Sequence, residues 1–286
     1  MRIAAILFCI CIISCSENVQ EGYKDIKLNG KVKNITETYF SPIVSGDTVK
    51  KGEQIVSEPT FFESRGEEVF LSQETKIFFN MKKQIMEFSI TDSISELYFK
   101  ELFEYKDNLL LTRRGLLSDE FFYKEVFHYD SKQREIERVF FDAENRIFET
   151  IVKEYPEKNK ITELVYTPED SEPIYVREII FENGLPTTIT TKYEGSIMEK
   201  WVGEYENGNV IRAKIYDDLN NLIQYTKCTY DNYGNELEFS MYTAMDELID
   251  MYKFQYKYDN NGNWIQQVTI VNNEPEVIVV RDIKYY

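Results

Sequence analysis

The sequence has 286 residues, of which 33 are basic and 50 acidic, giving a formal net charge of −17. That balance excludes nucleic-acid binding as a main activity, because phosphate contact needs a basic stripe and here Lys and Glu alternate along the chain. One histidine excludes a multi-histidine metal site, and 21 Tyr with 19 Phe supply enough large apolar surface for a core.

Residues 1–14 read as a leader: Arg2, then an apolar run from 3 to 13 that is too short to span a bilayer. The end of the run, Ile12-Ile13-Ser14-Cys15, resembles the lipobox of bacterial lipoproteins. The resemblance implies acylation of Cys15 and a hold on the membrane by lipid, without a transmembrane helix. Ser16 rather than Asp follows the cysteine, which implies transfer to the outer membrane, on either face. Losing Arg2 with the leader makes the charge −18, one unit below −17. Of the four cysteines, Cys9 and Cys11 lie in the leader, so an acylated Cys15 leaves Cys228 alone and no disulfide framework is expected.

Residues 15–26 are polar and read as a flexible tether; 27–286 form one β-repeat domain, with a less regular part over 27–66 and repeated hairpins over 67–286. A first strand is predicted over 31–40. Residues 41–59, with Pro42, Gly46, Gly52 and Pro59, are irregular and read as a tolerated insertion rather than a long loop carrying recognition, and Phe61-Phe62 before Gly66 as the first unit. Residues 93–103 fit either a short helix, capped at Ser93 and Glu96, or a strand with Leu97, Phe99, Glu101 and Phe103 on one face; the surrounding rhythm favours the strand.

That rhythm is a strand ending on an aromatic residue, followed by a polar turn. It recurs at Tyr105, Tyr129, Tyr155, Phe181, Tyr205, Tyr230 and Tyr258, at spacings of 24, 26, 26, 24, 25 and 28 residues. Weaker turns fall between these positions, so each unit is a hairpin of two strands. Its clearest copy is Leu248–Tyr258, where Tyr252, Phe254, Tyr256 and Tyr258 share one face and Met251, Lys253, Gln255 and Lys257 the other. The turn Asp259-Asn-Asn-Gly262-Asn263 follows, with glycine at the left-handed position. The expected fold is all-β: a long antiparallel meander of about 18 strands, each beside its sequence neighbour, in a single curved or twisted sheet.

Tyr256-x-Tyr258-Asp259-x-x-Gly262-Asn263 and Tyr230-Asp231-x-x-Gly234-Asn235 resemble the YD repeat of RHS-type proteins. The resemblance covers roughly residues 200–265 and implies antiparallel hairpins; RHS proteins use many more copies to wrap a toxin, so it speaks to fold more than to function.

No residue pattern marks a catalytic, cofactor or metal site. His128 reads as a surface or packing residue, and Cys228 as a small packing residue. Asp259, Asn261 and Asn263 alternate as in a calcium loop, but the downstream bidentate glutamate is missing. The aromatic ladder at Tyr252, Phe254, Tyr256 and Tyr258 fits a core face better than an open platform. The chain therefore reads as a non-catalytic, lipid-anchored envelope protein whose repeat surface binds a protein or glycan partner. A carboxylate-based glycan hydrolase and a toxin-associated shielding or immunity protein are the alternatives.

Overall fold

The structure is a computed structural model that describes residues 28–46, 48–55, 60–64, 67–71, 74–91 and 98–286. The predicted leader, Cys15, the tether over 15–26 and residues 93–97 lie outside the described residues. Every element among the described residues is a strand. They run β1 (Val32–Ser45), β2 (Thr48–Gln54), β3 (Thr60–Ser64), β4 (Glu67–Leu71), β5 (Glu74–Phe79), β6 (Ile85–Thr91) and β7 (Tyr98–Lys106). There follow β8 (Leu109–Leu117), β9 (Glu120–Tyr129), β10 (Glu135–Phe141), β11 (Ile147–Glu157), β12 (Lys160–Tyr166), β13 (Tyr175–Glu182) and β14 (Leu185–Tyr193). The last seven are β15 (Ser196–Glu206), β16 (Asn209–Tyr216), β17 (Leu222–Tyr230), β18 (Glu236–Thr243), β19 (Leu248–Tyr258), β20 (Trp264–Val271) and β21 (Glu274–Tyr285).

From β5 to β21 each strand pairs antiparallel with the next. The expected open sheet is corrected at its ends. β1 pairs with β5 on one side and with β21 on the other, which closes the ring. The 19-stranded sheet is thus 18 strands of barrel plus β2, which extends beside the far half of β1. Neighbour-by-neighbour rules predict a meander but not where its two ends meet. The irregular segment predicted from residue 41 is also corrected over its described part: β1 runs on to Ser45, and Gly46, at φ 60°, precedes β2. Residues 98–103 are strand, as the rhythm favoured. β3 and β4 form a separate two-stranded hairpin.

Two turn types alternate in most of the hairpins. At one, residue i accepts the amides of i+2 and i+4 on its side-chain oxygen and residue i+3 is left-handed; Asp130, Asp217, Asp231 and Asp259 all do this. The other is a two-residue reversal with both residues at positive φ, as at Asp107-Asn108 and Asn207-Gly208, whose hand matches the twist of the strands.

The strand-end tyrosines have a defined job. The hydroxyls of Tyr105, Tyr129, Tyr155, Tyr205, Tyr230 and Tyr256 donate to the carbonyls of Ile85, Leu110, Glu135, Pro186, Val210 and Glu236, at 2.7–2.9 Å. Each ring reaches back across its own hairpin to the start of the preceding strand. This pattern corrects the repeat register: the equivalent residue in β19 is Tyr256, not Tyr258, so the last spacing is 26 rather than 28. Tyr258 and Tyr285 instead donate to Asp231 and Asp259; the first bond links one YD turn to the one before it, and the second ties the end of β21 to the Asp259 turn.

The barrel's two faces differ. One carries most of the buried side chains, among them Ile35, Ile77, Phe103 and Phe127, and Ile179, Ile189 and Trp201, which marks it as the concave inner wall; the other is buried locally, at Tyr225, Ser240, Val268 and Ile278. The inner-wall residues named form two separate clusters. One lies on β1 and β5 to β9, the other on β13 to β16. Eighteen strands at about 4.8 Å give a girth of about 86 Å, whereas about eight strands suffice for side chains to fill a barrel. The core therefore lines the wall instead of meeting at an axis. The outer face of successive strands carries Arg114, Lys124, Glu137, Glu154, Lys160, Glu178, Lys192, Lys200 and Lys214.

Candidate functional site on the inner wall

The most concentrated chemistry lies on residues that no sequence motif marks. Charged residues stand between apolar ones on the inner face: Glu101 between Phe99 and Phe103, Glu125 between Tyr123 and Phe127, Lys153 between Ile151 and Tyr155, Glu163 between Ile161 and Val165, and Arg177 between Tyr175 and Ile179. Strand alternation puts i and i±2 on the same side, so each charge must point into the barrel with its apolar neighbours.

Cross-strand register then sets acid beside base. Arg113 Nε donates to Glu125 Oε1 at 2.9 Å and lies 3.9 Å from Glu101 Oε1. Within β10 Arg138 meets Glu135 at 2.9 Å, and across strands Lys153 bridges Glu135 at 3.3 Å and Glu163 at 3.1 Å. Arg177 reaches Glu163 from the other side at 3.1 Å. The Tyr123 hydroxyl donates to Glu101, and its ring lies so close over Gly115 that a Cβ there would overlap it. Glu101, Glu125, Arg138 and Glu163 are all buried. The result is a belt of alternating sign from β7 to β13. A second, isolated pair sits near the seam of the ring, where Arg281 Nε donates to Glu37 at 2.7 Å and the guanidinium covers Trp264 at 3.2 Å.

Burial pushes the Glu125 carboxyl up, with the Arg113 charge and hydrogen bond opposing it. Burial also raises Glu149, against Arg138, and Glu199, against Arg177. Glu101 Oε2 and Glu125 Oε2 are buried without a hydrogen-bond partner. Such a belt is costly to desolvate, and once formed it penalises the loss of any one member. Its acids are held by fixed cations, which suits clamping strands in register.

The residues singled out in the sequence fall elsewhere. Tyr252, Phe254, Tyr256 and Tyr258 line the inner face of β19 and are half-buried. The hydroxyls of Tyr256 and Tyr258 are bonded to Glu236 and Asp231, so the ladder packs the wall. His128 is on the outer face, with Nε2 3.8 Å from Glu137. Cys228 is buried. Asp259 turns its oxygens to its own turn and to Tyr285. Asn263 is buried at the seam, donating to the Asn29 carbonyl at 2.9 Å and to the Tyr285 hydroxyl at 2.7 Å, and accepting the Asn29 amide at 2.7 Å. These contacts occupy the groups that a calcium loop would direct at an ion. No group of three metal-binding side chains occurs among the described residues.

No family model and no curated protein matches this sequence. Among solved structures, a porin-like protein from Bacteroides uniformis aligns at 12% identity and a TM-score of 0.44, covering 90% of this chain and 98% of that one. A porin-like protein from Bacteroides vulgatus aligns at 7% identity and a TM-score of 0.31, covering 89% and 98%. A LolA superfamily protein from Nitrosomonas europaea aligns at 6% identity and a TM-score of 0.23, covering 91% and 87%.

Proposed function

We propose that this chain is a lipid-anchored, non-catalytic protein of a bacterial cell envelope, whose barrel stands in water and offers a wall of repeated hairpins to a protein or glycan partner. The observation that carries this reading is the outer wall. A barrel that spans a bilayer needs an outward apolar band about 25 Å tall. Here every strand from β9 to β16 has a charge on its outward face: Lys124, Glu137, Glu154, Lys160, Glu178, Lys192, Lys200 and Lys214, among apolar positions such as Val139 and Val176. A charge at mid-membrane costs about 2–4 kcal/mol for Arg or Lys, and a run of such charges over eight neighbouring strands favours water. Attachment then rests on the acyl chains at Cys15, and Ser16 favours the outer membrane. The paired belt supports a binding role, because its acids are locked by fixed cations.

The test is fractionation of cells fed an alkyne-tagged fatty acid. Wild type should carry the label and resist alkaline carbonate; Cys15→Ser should lose the label and appear in the soluble fraction. A Cys15→Ser protein that stays in carbonate-washed membranes would mean that the barrel itself inserts.

A further inference from the structure

Both ends of the barrel carry register shifts at strand starts, but with different exposure: near Asn263, β6, β10 and β18 skip Met86, Ile136 and Leu237, which are 38, 37 and 39% exposed. Asn29 enters at the end where Asn263 and Tyr285 hold it. At the opposite end, the start of every second strand from β9 to β21, β13 excepted, carries a register shift that skips one residue. In β21 the skipped residue is Glu276; in the other five strands it is large and apolar. Phe122, Phe148, Met198, Ile223 and Ile249 are the residues skipped by the pairing of β9, β11, β15, β17 and β19 with the strand before each. Their exposures are 50, 45, 47, 49 and 43%. The turns between them add Leu219 at 76% and Met245 at 84%. A β-bulge re-aims a side chain, and these five bulges all lie at one rim of the barrel. Exposed apolar surface that recurs in register marks an interaction site.

We infer that this rim, along β15 to β19, docks a basic amphipathic helix of a partner polypeptide. Two observations select that occupant. The first is spacing. Alternate strands lie about 9.6 Å apart, so Met198, Ile223 and Ile249 present apolar groups at that interval. A helix places residues i, i+7 and i+14 on one side about 10.5 Å apart, close enough to seat one apolar residue per bulge. The second is charge. The turns at 194–195, 217–221 and 243–247 contain Glu194, Asp217, Asp218, Asp246 and Glu247 and no Lys or Arg. An acidic, apolar rim attracts cationic residues flanking the apolar stripe and is repelled by an anionic lipid surface. The inference rests on the proposed binding role and is independent of the lipid anchor.

The experiment uses the full chain carrying Cys15→Ser, so that detergent is not needed, and a labelled 22-residue Leu/Ala/Lys peptide with leucine at seven-residue spacing. Fluorescence anisotropy should show saturable binding that weakens at least tenfold with Ile223→Ser/Ile249→Ser, while circular dichroism and the melting temperature stay unchanged. The same peptide with Glu for Lys, or with its leucines shuffled, should bind at least tenfold more weakly. Equal binding by the shuffled peptide, or no effect of the double substitution, overturns the inference. So does binding to phosphatidylethanolamine/phosphatidylglycerol vesicles that the double substitution abolishes, which would assign the rim to lipid. None of these outcomes bears on labelling at Cys15, so the two readings fail separately.

Discussion

Removing the cation at the centre of the belt is the sharpest test of how the barrel is held. Arg113→Met keeps a similar stem on β8 but leaves the Glu125 and Glu101 carboxylates facing each other at 2% and 6% side-chain exposure. Breaking a buried pair by deleting one partner costs about 3–5 kcal/mol, because the remaining charge is uncompensated. Against a total stability of about 5–15 kcal/mol, that is a large fraction. Adding Glu125→Gln in the Arg113→Met background should recover about half of it, since the amide is neutral where the carboxylate was not. The sign with pH is also fixed. Burial already raises Glu125, and removal of Arg113 raises it further. A carboxyl with a raised folded value contributes its full stability below its unfolded value of about 4.3 and loses it as pH rises. The deficit of Arg113→Met should therefore be smaller at pH 4 than at pH 7. Urea denaturation followed by the fluorescence of Trp201 and Trp264 reads all three quantities. A loss below about 1 kcal/mol, or a double variant no more stable than Arg113→Met alone, would mean that the belt is solvated rather than clamped.

Three further outcomes are expected. Tyr205→Phe removes the 2.7 Å hydrogen bond to the Pro186 carbonyl and should cost about 0.5–1.5 kcal/mol in the same melts; Phe181 holds the equivalent position without a hydroxyl, so the ring alone should keep the fold. Gly262→Val should cost more than Gly184→Val. Both glycines sit at φ 80°, but a Cβ at 262 would meet the Tyr233 ring at 2.9 Å and Asn29 Nδ2 at 3.3 Å, while position 184 is open. Equal losses would show that the seam turn is loose. Finally, burial pushes the Asp259 carboxyl up, but the Tyr285 hydroxyl and the amides of Asn263, Asn261 and Gly262 together hold it below the usual carboxylate range. Its contribution is complete above about pH 3.9 and is lost as pH falls through the lower folded value. Asp259→Asn should therefore flatten the decline in stability between pH 5 and pH 2, and an unchanged slope would contradict that role.

Much of the wall was legible in the residues themselves. Alternation fixed which side chains of β19 share a face, and Asp, Asn and Gly marked where hairpins reverse, because local sterics and local hydrogen bonds decide both. The aromatic rhythm located the units, although Tyr258 and Tyr256 look equivalent until one sees which hydroxyl reaches a carbonyl across the hairpin. The belt had a local signal too. A charge flanked at i±2 by apolar residues, as at Glu125 or Glu163, can only face inward with them; its partner on the neighbouring strand is chosen by register. Closure had no local signal. Whether β1 finds β5 and β21 depends on the twist summed over eighteen strands and on contacts between residues far apart in the chain, among them Asn29 with Asn263, 234 residues apart, and Glu37 with Arg281, 244 apart. The chain by itself determined a ribbon of hairpins and its turn chemistry, since those arise from neighbours in sequence. The tertiary structure alone decided that the ribbon is a ring with an inside, and so which charges are buried and which end bears the exposed apolar rim.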